Sequence, residues 1–365
     1  GNKPDPDNLC AMSVAVMYDI GKILQVGGNG GWNSDGLPAS NKATSIDINS
    51  SSPVLTELPR MSIPRRMANG IVLANGEVVI TGGTRRGNDA GGNEVYAAEI
   101  WNPNTNSWRL GASASTIRVY HSITSLLLNG AIISTGGGAP GPVTNKAGEV
   151  YYPPYLFEQV GSASRLAARP IIRGISGLKY SHGTTMQMDM GSTESISGLS
   201  LISLSVATHS HNNGQRRIPL QFTQEENRLT ATTPNANLTP PGYYQVVALN
   251  AQGIPSYANV IAVGAAMTAP QVNTTPYNPT GVVSPPPPPA NVPPTVALTV
   301  PASGTAYTQG ATVAITATAA DSDGSVAYVD FYDGGTLLGS DTTAPYAFNW
   351  VTSVATAVGT HNITA

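Results

Sequence analysis

Apolar and polar positions repeat one phrase three times in the first 150 residues: MYDIGKILQVGG at 17–28, VLANGEVVITGG at 72–83 and LLLNGAIISTGG at 126–137. Each is an apolar run of strand length, a turn carrying glycine, a second apolar run and a double glycine. The pattern predicts a β-hairpin in each phrase. Asn75-Gly76 and Asn129-Gly130 predict type I′ turns, with positive φ at both central positions. After the second double glycine, AEIWNPNTNSWRLG at 98–111 predicts a third and a fourth strand about a turn at Asn102–Asn106.

The first glycines of the pairs, Gly27, Gly82 and Gly136, recur with a period of about 55 residues. A double glycine followed by a tryptophan-flanked turn at such a period is the signature of a kelch blade. A four-stranded blade cannot bury both faces alone, so it stacks on neighbours around an axis. Three repeats fall short of the roughly four to eight blades that close a ring, and the remaining blades are expected upstream. From Arg169 to Val263 the rhythm shifts to short strands between turn clusters, as in an immunoglobulin-like sandwich. SPPPPP at 284–289 marks a semi-rigid linker. TVALTV, TVAITATA, VAYVDFYDG and YAFNWV then predict a second immunoglobulin-like module, short of its last strand. The predicted chain is all-β: about three blades of a kelch-type propeller at 1–160, a sandwich at 161–265, a linker at 266–294 and a second sandwich at 295–365.

Composition agrees. Of the 365 residues 41% are hydrophobic but only 11% charged, against roughly 25% in an average soluble protein. That favours many short strands over long solvated helices. With a net charge of −3 and arginines only in scattered pairs, no basic stripe suited to nucleic acid is present. No apolar run approaches the roughly 20 residues of a membrane span. The single cysteine, Cys10, excludes a disulfide framework within the chain. Neither end reads as a natural terminus, so the chain is taken as a piece of a longer protein.

Only five histidines are available as ligands: His121, His182, His209, His211 and His361. His121 follows Tyr120 directly. Neighbours in a regular strand point to opposite faces, so the two can share a metal only where the backbone is irregular. His209 sits with His211 in a polar loop, ATHSHNNGQRR. Phenolate and imidazole ligands suit copper or iron better than magnesium or calcium. The plainer alternative makes His121 a half-buried histidine and His209 a solvated loop residue. ADSDGSV at 320–326 starts like a calcium loop but lacks the glutamate that would complete it. The glycine-rich stretches have no lysine and helix after them, so they are not phosphate loops.

Residues 8–265 resemble the galactose oxidase and glyoxal oxidase family of copper radical oxidases. The resemblance rests on CAMSVAVMYDIGKILQVGG (10–28), VVITGGTRRG (78–87), IRVYHSITSLLLNG (117–130), GEVYYPPYLF (148–157), THSHNNGQRRIPL (208–220) and PPGYYQVVALNAQGIPS (240–256), in the family's order and near its spacing. It implies one copper ion, with Tyr120 as axial ligand and catalytic base and with His121 and His209 as the imidazole ligands. His211 lies where the family varies. Trp32 and Asn33 fall near an aromatic–amide pair of the family's pocket and Met67 near a pocket aromatic; solvent-facing loop residues are the alternative there. The family's cross-linked radical Tyr–Cys pair has no match here. Cys10 resembles a different cysteine and reads as a small buried hydrophobe, so the radical pair is expected upstream of residue 1. The resemblance further implies a secreted oxidoreductase that takes a primary alcohol, aldehyde or sugar with O2 and releases H2O2. By its own resemblance to bacterial immunoglobulin-like repeats, the terminal module is expected to act as a spacer or to touch glycan or a cell surface. The alternatives are a non-catalytic propeller that binds glycan or a surface, and a mononuclear metal site without a radical.

Overall fold

A computed structural model describes residues 12–28, 38–86, 91–137, 145–161, 163–270, 294–321, 326–353, 355–356 and 358–365. Among them the regular structure is β throughout, apart from one turn of 3-10 helix at Pro154–Leu156. The all-β chain forms two compact units, Gly1–Pro276 and Tyr277–Ala365.

The first unit opens with three antiparallel blade sheets. Blade one runs β1 (Val14–Asp19), β2 (Lys22–Val26), β3 (Ala43–Asp47) and β4 (Val54–Leu58). Blade two runs β5 (Asn69–Val72), β6 (Val78–Thr81), β7 (Ala97–Asn102) and β8 (Ser107–Ser113). Blade three has β9 (Ser122–Leu126), β10 (Ile132–Gly136) and β11 (Gly148–Tyr151). Alternation along β1 turns Val14, Val16 and Tyr18 toward blade two, where a Cβ on Gly70 would collide with both valines and Tyr18 meets Trp101 edge-on at 4.8 Å. Thr81 Oγ1 and Thr124 Oγ1, 3.2 Å apart, link blades two and three. The middle blade is packed on both sides, so β5 is buried at all four positions, its Asn69 included.

The hairpin turns differ from the predicted type I′. The Leu73 N–H donates to Glu77 O at 2.8 Å and the Gly76 N–H to Leu73 O at 3.0 Å. Gly76, at φ 89°, has positive φ and Asn75 does not. The loop is therefore the three-residue kind that ends on a left-handed glycine. Leu127, Ala131 and Gly130 repeat it. The asparagine side chain explains the difference. Asn75 Oδ1 accepts the Glu77 N–H at 3.1 Å and Asn129 Oδ1 the Ala131 N–H at 3.0 Å. That local bond holds asparagine on the negative-φ side and leaves the inversion to glycine.

Two ion pairs repeat with the blades. Arg65, leading into β5, donates to Gly82 O, Ala97 O and Glu99 Oε1 at 3.1, 3.0 and 2.9 Å. Arg118, leading into β9, donates to Gly136 O at 3.0 Å and Glu149 Oε2 at 3.1 Å. Each glutamate also accepts a backbone N–H of its own lead-in segment, Ser62 and Ile63 for Glu99, Ser115 for Glu149. In blades two and three, one buried arginine thus ties the lead-in segment to the double-glycine strand and to the third strand. Gly82 and Gly83 take φ of 64° and 89°, and the Gly83 N–H donates to Arg118 O at 2.6 Å. A Cβ on Gly82 would strike that carbonyl. The pair therefore lets blade two press directly on the segment that carries Tyr120 and His121.

The sandwich follows. One sheet orders its strands 172–175, 185–190, 228–232 and 222–225; the other orders 179–180, 259–263, 242–250, 196–203 and 217–219. Strict alternation in TMQMDM buries Met186, Met188 and Met190 against Leu201, Tyr244, Val246 and Ile261. The second unit has two three-stranded sheets around Val313, Ile315, Val329, Phe331 and Tyr346.

Candidate metal centre

Tyr120 and His121 occupy the middle of a turn closed by the Ser122 N–H donating to Val119 O at 2.9 Å. His121 has φ 65°. This is the irregular backbone that two adjacent side chains need if they are to converge. Their ring centroids lie 3.9 Å apart, tilted by 32°.

The third ring comes from the sandwich. Ala207–Thr208 and His211–Asn212 pair as a short hairpin with Thr208 opposite His211, so His209 and Ser210 form a two-residue loop. Both have positive φ, 53° and 64°. That is the type I′ geometry that Asn-Gly normally supplies. A non-glycine residue held left-handed costs of order 1–3 kcal/mol, and three such residues gather here. The hairpin lies against the innermost strands of all three blades. The segment just after the hairpin adds bonds to the first two blades: Val72 N–H donates to Gln215 Oε1 at 2.9 Å, Arg217 Nε donates to Ala74 O at 2.8 Å, and Met17 bridges to Arg216. His209 reaches the other two rings, 4.6 Å from His121 and 5.7 Å from Tyr120 between centroids.

Tyr120 and His121 are half-buried and His209 is exposed, so the cluster opens to solvent. Thr208 Oγ1 lies 2.6 Å from His209 Nδ1. A ligand taken at Nε2 would leave Nδ1 protonated and donating to that hydroxyl. Burial, and after it the neighbouring His209, keep the His121 imidazole below the usual histidine range, which favours the neutral, ligating form. The same two causes lower His211. Among the described residues no three His, Cys, Asp or Glu side chains gather as a metal cluster; here the third donor is a phenol. Two imidazoles and a phenol form a donor set that suits one copper ion.

Met67 lies ahead of β5 with φ 56° and is 1% exposed. Trp32, Asn33 and Cys10 lie outside the described residues. Sequence reasoning missed Thr208, Ser210, Ser122 and the two arginine–glutamate pairs. The arginines left a trace, since Arg65 and Arg118 precede their double glycines at nearly equal distance. The hydroxyls left none. Among the described residues no helix is long and apolar enough to cross a membrane.

A model of the galactose oxidase-like early set domain matches residues 169–263, and one of a bacterial Ig domain matches 294–365. Galactose oxidase of Gibberella zeae is 34% identical over 268 residues, covering 71% of this chain and 38% of that protein. Aldehyde oxidase GLOX of Vitis pseudoreticulata is 27% identical over 290 residues, covering 70% of this chain and 53% of its own length. The chain thus spans about two fifths to half of these relatives. A solved fungal alcohol oxidase of the AA5 family, in complex with copper, superposes with a TM-score of 0.65 at 28% identity, over 71% of this chain and 55% of that one.

Proposed function

The first unit is homologous to the galactose and glyoxal oxidases, and from that premise we propose that the chain is part of a secreted copper oxidase. In this reading the enzyme converts a primary alcohol to an aldehyde, or an aldehyde hydrate to an acid, while O2 is reduced to H2O2. The observation that carries it is the convergence of Tyr120, His121 and His209 from a blade turn and a sandwich hairpin, with both histidines held at positive φ. Such strain persists only where the surrounding structure over-determines it, and it concentrates at functional sites.

His121 and His209 would hold the copper ion through imidazole nitrogens, with Tyr120 as the third ligand. When bound, copper supplies a Lewis acid at the substrate oxygen and accepts one electron. Tyr120, as the phenolate, would take the substrate hydroxyl proton at its oxygen, acting as general base. Thr208 fixes the face of the His209 ring, and burial lowers the His121 pKa, which favours its neutral form. Beyond that hydroxyl proton, oxidation removes one hydrogen atom from carbon and one further electron, two electrons in all. The second acceptor is assigned to a radical Tyr–Cys pair in the part of the protein outside the matched region. Peroxide carries away both electrons and both protons.

Tyr120→Phe in the full-length protein separates binding from chemistry. We expect one copper per protein by elemental analysis and turnover slowed about 10²–10⁴-fold, the usual weight of a positioned base. Unchanged peroxide production would remove Tyr120 from that role.

A further inference from the structure

We propose that Ser210 is a positioning residue, a latch by which the sandwich fixes His209 against the Tyr120–His121 turn. This rests on the metal reading above. Ser210 is 2% exposed, although it is the second residue of a two-residue hairpin loop whose first, His209, is exposed. A hairpin tip normally points to water. This one is sunk into blade three, and its polar atoms meet the turn that carries the other two rings. The Ser210 N–H donates to Ser122 O at 3.1 Å, and its Oγ donates to Val119 O at 3.1 Å. These two carbonyls bracket Tyr120 and His121 on either side. The Ser122 hydroxyl lies 3.4 Å from Ser210 Oγ, a long contact, and accepts Asn69 Nδ2 of β5 at 2.9 Å. Blade two, blade three and the sandwich hairpin therefore share one buried cluster, the Ser210 and Ser122 hydroxyls with the Asn69 amide, at the turn that carries Tyr120 and His121.

The local energetics support this assignment. Serine at φ 64° is strained where glycine would be relaxed. If the tip needed only to turn, glycine would serve better. What serine adds is the hydroxyl bond to Val119 O, which sets the distance from His209 to its partner rings. The bonds from Gln215 to Val72 and from Arg217 to Ala74 tie down the segment that follows the hairpin rather than its tip.

Ser210→Gly in the full-length protein distinguishes a latch from a general packing contact, because it relieves the strain while removing the hydroxyl. We expect the metal-free protein to unfold at an unchanged or higher temperature. Cu(II) affinity, by competition with a chelator, should fall about tenfold, the weight of one lost buried hydrogen bond. The spin-resonance spectrum of bound Cu(II) should broaden or shift as His209 moves. The control is Gln245→Ala, which cuts a distant bond from the sandwich to Leu126 O of blade three. It should lower the unfolding temperature and leave Cu(II) affinity unchanged. Wild-type affinity and spectrum in Ser210→Gly, with copper bound normally by the parent, overturn the latch and leave the metal site standing. An equal loss of affinity in both variants overturns it too, since any loosening would then suffice. A parent protein that binds no copper removes the metal reading and the latch with it.

Discussion

At the scale of single residues, five histidines and one Tyr-His pair ahead of an apolar strand made Tyr120, His121 and the loop of His209 and His211 candidates, and the resemblance to the copper radical oxidases singled out Tyr120, His121 and His209. What brings them together was not readable. Periodicity predicts where a strand runs, but it does not predict a left-handed histidine, since such a conformation is held by distant contacts and opposed by local preference. Ser210 and Ser122 are 88 positions apart and make no pattern that a linear reading detects. Thr208 is as inconspicuous, yet its hydroxyl holds His209 Nδ1 at 2.6 Å. Partners of this kind orient a metal-binding imidazole, and their loss typically costs about 10–100-fold in metal affinity. Thr208→Val keeps the shape and removes the hydroxyl, so copper affinity by competitive titration should fall within that range. An unchanged affinity would make the bond incidental to ligation.

Among the elements, the hairpins and double glycines were legible because turn chemistry is local. The turn type was not, since the Asn75 and Asn129 side chains chose between two short loops of nearly the same sequence requirement. The arginine staples show why some long-range structure escapes sequence. Each arginine stands near its double glycine in sequence, but Glu99 and Glu149 lie 34 and 31 positions away among other acidic residues. The second staple has a pH signature. Burial raises the Glu149 carboxyl, but the Ser115 amide and hydroxyl and the Arg118 guanidinium together outweigh it, and the net shift is downward. A depressed carboxylate stabilises the folded state above its unfolded pKa, about 4.3 for glutamate, and that stabilisation disappears as pH falls through the folded value. The stability advantage of the parent over Glu149→Gln should therefore be constant near neutrality and shrink steadily below about pH 4. Urea unfolding between about pH 3 and pH 7 reads it directly. A gap that stays constant down to pH 3 would mean the carboxylate is not stabilised by folding.

For the molecule as a whole, the fold class followed from period and composition, and the blade stack poses a physical problem that the described residues make concrete. Val16 and Leu24 of blade one face blade two and are buried; their neighbours Met17 and Ile23 are paired in register and turn the other way. Ile46 and Leu55 continue that second row, which ends 43% exposed at Leu55. On blade three, Thr124 faces blade two, while Ile133 and Val150 form a row on the opposite side, with Val150 48% exposed. A sheet with apolar residues on both faces is built to be packed on both. Water against such a face costs roughly 25 cal/mol for each Å² that a neighbour would cover, and exposed apolar faces beside open strand edges drive association. Residues 1–276 produced alone should therefore sediment as oligomers or precipitate, and Leu55→Lys with Val150→Lys should shift them toward monomer without loss of β signal by circular dichroism. If the unmodified piece sediments as a single monomer and unfolds in one sharp transition, these faces need no covering by further blades.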